Sequence, residues 1–133
     1  MINVWVNGCF DILHVGHIEL LEYAKSLGDK LIVGIDVDQR VKELKGQNRP
    51  FNTTKDRKKM LESLRCVDVV TFFKDEGELK KHIKKYNIDI MVVGDDYKDK
   101  YVVGSELVKD VFFFKKVGGY STTSILKSNN KKK

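Results

Sequence analysis

The sequence has little of what membrane and secreted proteins are built from. No apolar run approaches the ~18 residues needed to cross a bilayer. The opening MINVWVNGCF has no basic segment followed by a small-residue cleavage site. Neither a membrane span nor a secretory leader is expected. Only two cysteines, Cys9 and Cys66, occur in 133 residues, at no disulfide or zinc spacing, so two reduced thiols and a cytoplasmic location are expected. With a single proline, Pro50, there is no Pro- or Gly-rich linker, and no internal repeat is visible. At roughly 150 residues per domain, that leaves one compact unit.

What is present is positive charge, +6 overall. Lys127, Lys131, Lys132 and Lys133 stand in the closing KSNNKKK without an acid, and setting those four aside leaves +2 for the body. Residues 128–133 therefore read as a frayed, solvated basic tail behind a domain of residues 1–127, and no nucleic-acid partner is expected. Hydrophobic residues at 41% and charged residues at 33% fit a folded globular chain.

The apolar pattern alternates between two periods. Ile2 to Val6 is a short β-prone run ended by Asn7-Gly8, and Lys30 to Ile35 is another. Between them Ile18, Leu20, Leu21, Ala24 and Leu27 recur at helical spacing, with Gly28 as the stop. This predicts a βαβ unit. The alternation continues with a helix over Lys55 to Leu64, a strand over Val67 to Phe72, a helix over Glu78 to Tyr86, and strands over Asp89 to Val93 and Val111 to Phe114. Runs such as IMVV and VFFF are apolar throughout, as in strands covered on both faces. The expected fold is an α/β, Rossmann-like, doubly wound, mostly parallel sheet of about five strands. Ligands bind such sheets beyond the carboxyl ends of the strands, which directs attention to the loops after Val6, Ile35, Val93 and Phe114. The polar stretch GQNRPFNTT around Pro50 is too long for a minimal connection and is a second candidate for function.

The loop after the first strand, Asn7-Gly8-Cys9-Phe10-Asp11-Ile12-Leu13-His14-Val15-Gly16-His17, brings two glycines and two imidazoles to the start of the first helix. Gly8 lets backbone approach a ligand, free N–H groups at the helix start attract anions, and Gly16 leaves room above the helix. His14 and His17, three residues apart, can donate to phosphoryl oxygens from one side of a turn. A polyphosphate would fit. The alternatives are a helix start with two polar histidines and no ligand, and a zinc site from Cys9, His14 and His17, which lacks a fourth ligand. Lys42 and Lys45 follow the second strand one turn apart, where they read either as a solvated face or as phosphate ligands. Asp11 can bind magnesium or brace the loop by accepting backbone N–H bonds, and bracing is the favoured reading. Asp95 and Asp96 follow the fourth strand as a carboxylate pair. Ser121, Thr122 and Thr123 can cap a last helix or meet phosphates with their hydroxyls.

The run G-C-F-D-I-L-H-V-G-H resembles the signature of the nucleotidyltransferase superfamily marked by H-x-G-H, specifically its cytidylyltransferase-like branch. Gly119 to Ile125 is similar to that branch's closing G-x-S-T-T-x-I motif. Within the branch the resemblance runs over nearly the whole chain to the adenylyltransferase domains of ADP-heptose synthases. It includes Lys42, Leu44-Lys45-Gly46, Arg49-Pro50, Asn52, Arg57, Val67-Asp68, Gly94, Asp96-Tyr97-Lys98 and Gly104-Ser105. Glycerol-3-phosphate cytidylyltransferases resemble it next, but lack the K-G-x-x-R-P stretch.

The resemblance implies transfer of a nucleoside monophosphate from ATP, or in the alternative CTP, to a phosphorylated acceptor. That acceptor would be a sugar 1-phosphate such as heptose 1-phosphate, or in the alternative a polyol phosphate. Pyrophosphate would leave by in-line displacement, with Mg2+ carried by the triphosphate and no metal ligated directly by the protein. It implies catalytic roles for His14, His17, Lys42 and Lys45, and acceptor contacts from Lys42, Lys45 and Arg49. Nucleotide contacts would come from Gly8, the backbone of Cys9 and Phe10, Asp11, Gly16, Arg57, Gly94, Asp95, Asp96, Lys116, Ser121, Thr122 and Thr123. Lys116 stands where the branch has an arginine, so charge is kept and the two-pronged fork is lost. A homodimer is also implied. Many heptose enzymes are fused to a sugar kinase for which this chain has no room, so a stand-alone transferase is expected.

Overall fold

In a computed structural model, which describes residues 1–115, five strands form one all-parallel sheet in the order β3-β2-β1-β4-β5. The elements are β1 (Asn3–Gly8), α1 (Val15–Ser26), β2 (Lys30–Asp36), α2 (Asp38–Lys45), α3 (Thr54–Glu62), β3 (Val69–Phe73), α4 (Glu76–Lys85), β4 (Ile90–Gly94) and β5 (Asp110–Phe114). Two single 3-10 turns, Asp95–Tyr97 and Ser105–Leu107, lie between β4 and β5. The tail and the Gly119–Ile125 motif fall outside the described residues. Among those residues no helix is long and apolar enough to cross a membrane.

The doubly wound reading holds, and residue alternation explains why. Val4 and Val6 of β1, Leu31, Val33 and Ile35 of β2 and Val92 of β4 point to one side, under Leu21 and Ala24 of α1 and Leu61 of α3. Trp5, Ile32, Phe73 and Met91 point to the other, under Leu79 and Ile83 of α4. Each face thus has its own core, and every strand is apolar on both sides. Gly34 belongs to this pattern, because a Cβ there would run into the Trp5 indole. The bare backbone makes room for the largest side chain in the sheet.

Three differences from the expectation bear on the site. Strand β1 runs through Asn7 and Gly8, because they pair with Gly34 and Ile35 of β2, where local turn chemistry had suggested a stop. Helix α1 starts at Val15, three residues before the apolar pattern begins, because His14 caps it. The short helix α2 was not anticipated at all. Its eight residues bury only Val41, too little apolar signal to register as a period.

Candidate active site

At the sheet centre, β1 and β4 are neighbours while the chain crosses between them by way of β2 and β3, and their carboxyl ends open where the winding reverses. From β1 the chain turns through Cys9 to Leu13 into α1. Phe10 has φ 49, in the left-handed region that costs a non-glycine residue energy. Its ring is buried in the core and would be 3.3 Å from a Cβ on Gly8. Part of the room that Gly8 leaves is therefore taken by Phe10.

The two histidines come together. Their rings stack at 3.7 Å between centroids and 22°, and Phe10 meets His17 edge-on at 5.2 Å. His14 is the N-cap, its carbonyl accepting from His17 N at 3.0 Å and Ile18 N at 3.2 Å. The His14 backbone N–H donates to Nδ1 of His17 at 3.3 Å. A ring nitrogen that accepts carries no proton, so neutral His17 holds its proton on Nε2 as a donor. The first turn of α1 contains no acid, so no side chain of that turn offsets the positive end of the helix dipole. Gly16 sits in that turn.

Beside the Gly8–Cys9 backbone lies a cleft of about 310 Å³. Its floor comes from strand ends, Asn7 and Gly8 of β1, Asp36 of β2, Phe73 of β3, and Val93 and Gly94 of β4. Arg40, Leu44 and Lys45 of α2 close one side, and Tyr97, Tyr101, Val102 and Val103 another. Lys45 lines this cleft and Lys42, one turn earlier, does not. Arg40 escaped the sequence reading. Its Nε is 2.7 Å from Asp36 Oδ1, and its guanidinium sits 5.6 Å from the centre of the Phe73 ring. The i,i+4 spacing of Asp36 and Arg40 was the available signal, but only the unanticipated α2 gives it meaning. Cys9 donates its thiol to Asp36 at 3.5 Å. Burial first, and the Asp36 charge second, push that thiol up to about 11. At neutral pH it is a protonated wall residue and no nucleophile.

Asp11 lies in the loop interior, 1% exposed. Its carboxylate accepts from Phe51 N at 2.7 Å, Asn52 N at 2.8 Å and Arg49 Nε at 3.1 Å. It cinches the Pro50 loop to the loop before α1. A carboxylate so occupied does not fit a magnesium ion, and among the described residues no group of three or more His, Cys, Asp or Glu could hold a metal. Arg49, expected on an acceptor phosphate, is the ion-pair partner in this brace.

Arg57 requires a correction. Expected against the nucleotide, it is instead fully buried, and its guanidinium donates to the carbonyls of Asn52, Cys9 and Asp36, to Asp38 Oδ1 and to Thr54 Oγ1 at 2.7 to 3.2 Å. It ties the β1 loop, the end of β2 and the start of α2 to α3. Burial pushes the Asp38 carboxyl up, and the bonds from Arg57 and Thr54 more than reverse this, holding it below its ordinary value. Asp95 and Asp96 form an exposed 3-10 turn and do not line the cleft, whereas Gly94 and Tyr97 on either side of them do. Lys116, Ser121, Thr122 and Thr123 lie outside the described residues.

A family model described as cytidylyltransferase-like matches residues 5–130. The chain is 51% identical over 123 residues to the bifunctional protein HldE of Campylobacter fetus, covering 92% of this chain and 27% of that protein. It is 45% identical over 130 residues to the bifunctional protein HldE of Helicobacter hepaticus, 98% of this chain and 27% of that one. The chain thus spans about a quarter of the length of these curated relatives. Among solved structures, the lipopolysaccharide core biosynthesis protein from Thermoplasma volcanium superposes with a TM-score of 0.72 at 31% identity, over 88% of this chain and 98% of that one. A pantoate-beta-alanine ligase from Francisella tularensis, at 19% identity and a TM-score of 0.58 over 97% of this chain and 69% of that one, shares the fold.

Proposed function

The chain belongs to the cytidylyltransferase-like family, and from that premise we propose that it transfers AMP from ATP to a sugar 1-phosphate, D-glycero-D-manno-heptose 1-phosphate. A phosphate oxygen of the acceptor attacks the α-phosphorus of ATP in line. The new P–O bond forms as the α–β bridging bond breaks, and pyrophosphate takes the bonding electron pair. A phosphate monoester is already ionised near neutral pH, so no side chain has to remove a proton. Catalysis is then positioning and stabilisation of charge.

The observation that carries this reading is the stacked His14–His17 pair at the acid-free start of α1. Beside it, the Gly8–Cys9 backbone borders a cleft that Lys45 and Arg40 line from the other side. The histidines and first-turn N–H groups hold the triphosphate, and Lys45 holds the acceptor phosphate and neutralises charge at the α-phosphorus. Magnesium enters as part of the MgATP substrate, in keeping with the occupied carboxylate of Asp11. The heptose is supported by the roughly one-in-two identity to proteins named HldE and by the lipopolysaccharide core biosynthesis neighbour. The free thiols of Cys9 and Cys66 suit work in the reducing cytoplasm. A homodimer is the expected state, and light scattering that gives a monomer mass at working concentration overturns that part.

The test is pyrophosphate release with magnesium, crossing ATP and CTP against heptose 1-phosphate, other sugar 1-phosphates and glycerol 3-phosphate. Release with ATP and heptose 1-phosphate is expected. Release only with CTP and glycerol 3-phosphate overturns the reading.

A further inference from the structure

The cleft has two chemically different ends. Next to Gly8 and Cys9 it has Lys45, whose charge acts on the Cys9 thiol, while Arg40 pairs with Asp36 and lies over the Phe73 ring. Glu76 also lines it, at the first position of α4 behind β3. In the sheet, β3 is two strands from β1, roughly 10 Å at the usual strand spacing.

Glu76 is exposed at the first position of α4, where its charge suits the helix dipole, and it is the acid of its turn whose carboxylate is held by no neighbouring group. Asp75 is the N-cap and accepts from Glu78 N at 2.8 Å, and the Glu78 carboxylate accepts from Lys74 N at 3.0 Å. Among the described residues the Glu76 carboxylate has no ion pair or side-chain hydrogen bond. An ionised carboxylate only accepts, so it repels a phosphate and takes hydroxyl donors.

Tyr97 and Tyr101 share the cleft with it. The Tyr101 hydroxyl donates to Glu106 at 2.9 Å, and Glu106 pairs with Lys80 of α4 at 3.0 Å. That ties the segment after β4 to α4. Aromatic rings and a carboxylate in one cleft with the Lys45 ammonium match a polyhydroxylated ring that carries a phosphate at one end.

We propose that Glu76 is a specificity-determining residue for the acceptor, accepting hydrogen bonds from the hydroxyls of a sugar whose phosphate lies at Lys45, with Tyr97 and Tyr101 alongside the ring. This rests on the acceptor being a sugar phosphate.

The experiment compares wild type with Glu76→Gln and Glu76→Asp. In steady-state turnover, Glu76→Gln is expected to raise KM for heptose 1-phosphate about tenfold or more, the loss of one charge-assisted hydrogen bond. KM for ATP stays within about twofold of wild type, and Glu76→Asp falls between the two for the acceptor. An unchanged acceptor KM in Glu76→Gln, or an ATP KM that rises in step with it, overturns the proposal. Calorimetric titration with inorganic phosphate and with heptose, mannose and glucose 1-phosphates gives a readout independent of turnover. Wild type is expected to bind at least one sugar phosphate more tightly than inorganic phosphate, and Glu76→Gln to lose that advantage. If wild type binds a sugar phosphate with this Glu76-dependent preference yet releases no pyrophosphate, the transferase reading falls and Glu76 stands. If no sugar phosphate outbinds inorganic phosphate, the Glu76 proposal falls.

Discussion

The two ring nitrogens of His17 have separate tasks. Nδ1 accepts the His14 backbone N–H and closes the first turn of α1, while Nε2 carries the ring proton, which the proposed transfer would direct at a phosphoryl oxygen. These tasks can be separated. His17→Asn can still accept that backbone bond and is expected to keep stability within about 0.5 kcal/mol, whereas His17→Ala loses about 1 kcal/mol, as a lost cap does. Both should lower kcat by a factor of about 100 or more. Melting curves and pyrophosphate release check the pair, and near-normal turnover in His17→Asn contradicts the phosphate role. Arg57 works at the same scale but through others. Its five acceptors lie on three stretches of the chain, Cys9, Asp36 with Asp38, and Asn52 with Thr54, and removing a buried partner leaves them unpaired. Arg57→Ala is expected to cost about 3–5 kcal/mol in denaturant unfolding. Arg57→Lys recovers only part of this, because an ammonium offers three donors without the planar fork.

Among elements, β2 sets the tolerances. A Cβ on Gly34 meets the ring atoms of Trp5, and that indole is fully buried between β1 and α4. Gly34→Ala should therefore destabilise by about 1–3 kcal/mol, the cost of overpacking, although alanine is otherwise the more natural strand residue. Thermal unfolding of the variant checks it. The same strand delivers Asp36 to the cleft and runs straight into α2, so the position of Lys45 depends on how firmly β2, α2 and α3 are joined. Arg57, Asp38 and Thr54 make that joint. The Pro50 loop is fastened as well, with Asp11 holding two of its backbone N–H groups.

For the whole molecule, these joints give stability an acid dependence. Asp68 sits between Lys25 of α1 at 2.6 Å and the Leu31 backbone N–H of β2 at 2.8 Å. Burial raises its carboxyl, and the Lys25 and Leu31 bonds outweigh this, so it lies below its ordinary value. Asp38 is held low in the same net direction. A carboxyl lowered in the folded state binds protons less readily than in the unfolded chain. Its contribution is therefore full above the ordinary carboxylate value near 4 and is lost as pH falls through the folded value. The melting temperature should be level from neutral pH down to about 5 and fall below about 4. Asp68→Asn and Asp38→Asn should lower the neutral plateau and flatten the acid slope, and a slope unchanged in both contradicts this account.

Wherever a feature is written in neighbouring residues, the sequence determined it. The two-sided apolar strands gave the doubly wound sheet, because full burial leaves no polar face. The spacing of His14 and His17 before an apolar helical stripe brought both rings together at the start of α1, because both sit within one turn. Asp11 as a brace was also legible, since a carboxylate in a tight loop seeks backbone N–H groups. Tertiary structure decided what distance in the chain conceals. It turned Arg57 inward, because its acceptors come from Cys9, Asp36 and Asn52 on segments that meet only in the fold. It kept β1 running through Gly8, because pairing with β2 overrides the local turn signal. It also assembled the cleft of Arg40, Lys45, Glu76, Tyr97 and Tyr101, which no period or motif links, because a parallel sheet gathers the carboxyl ends of distant strands along one edge.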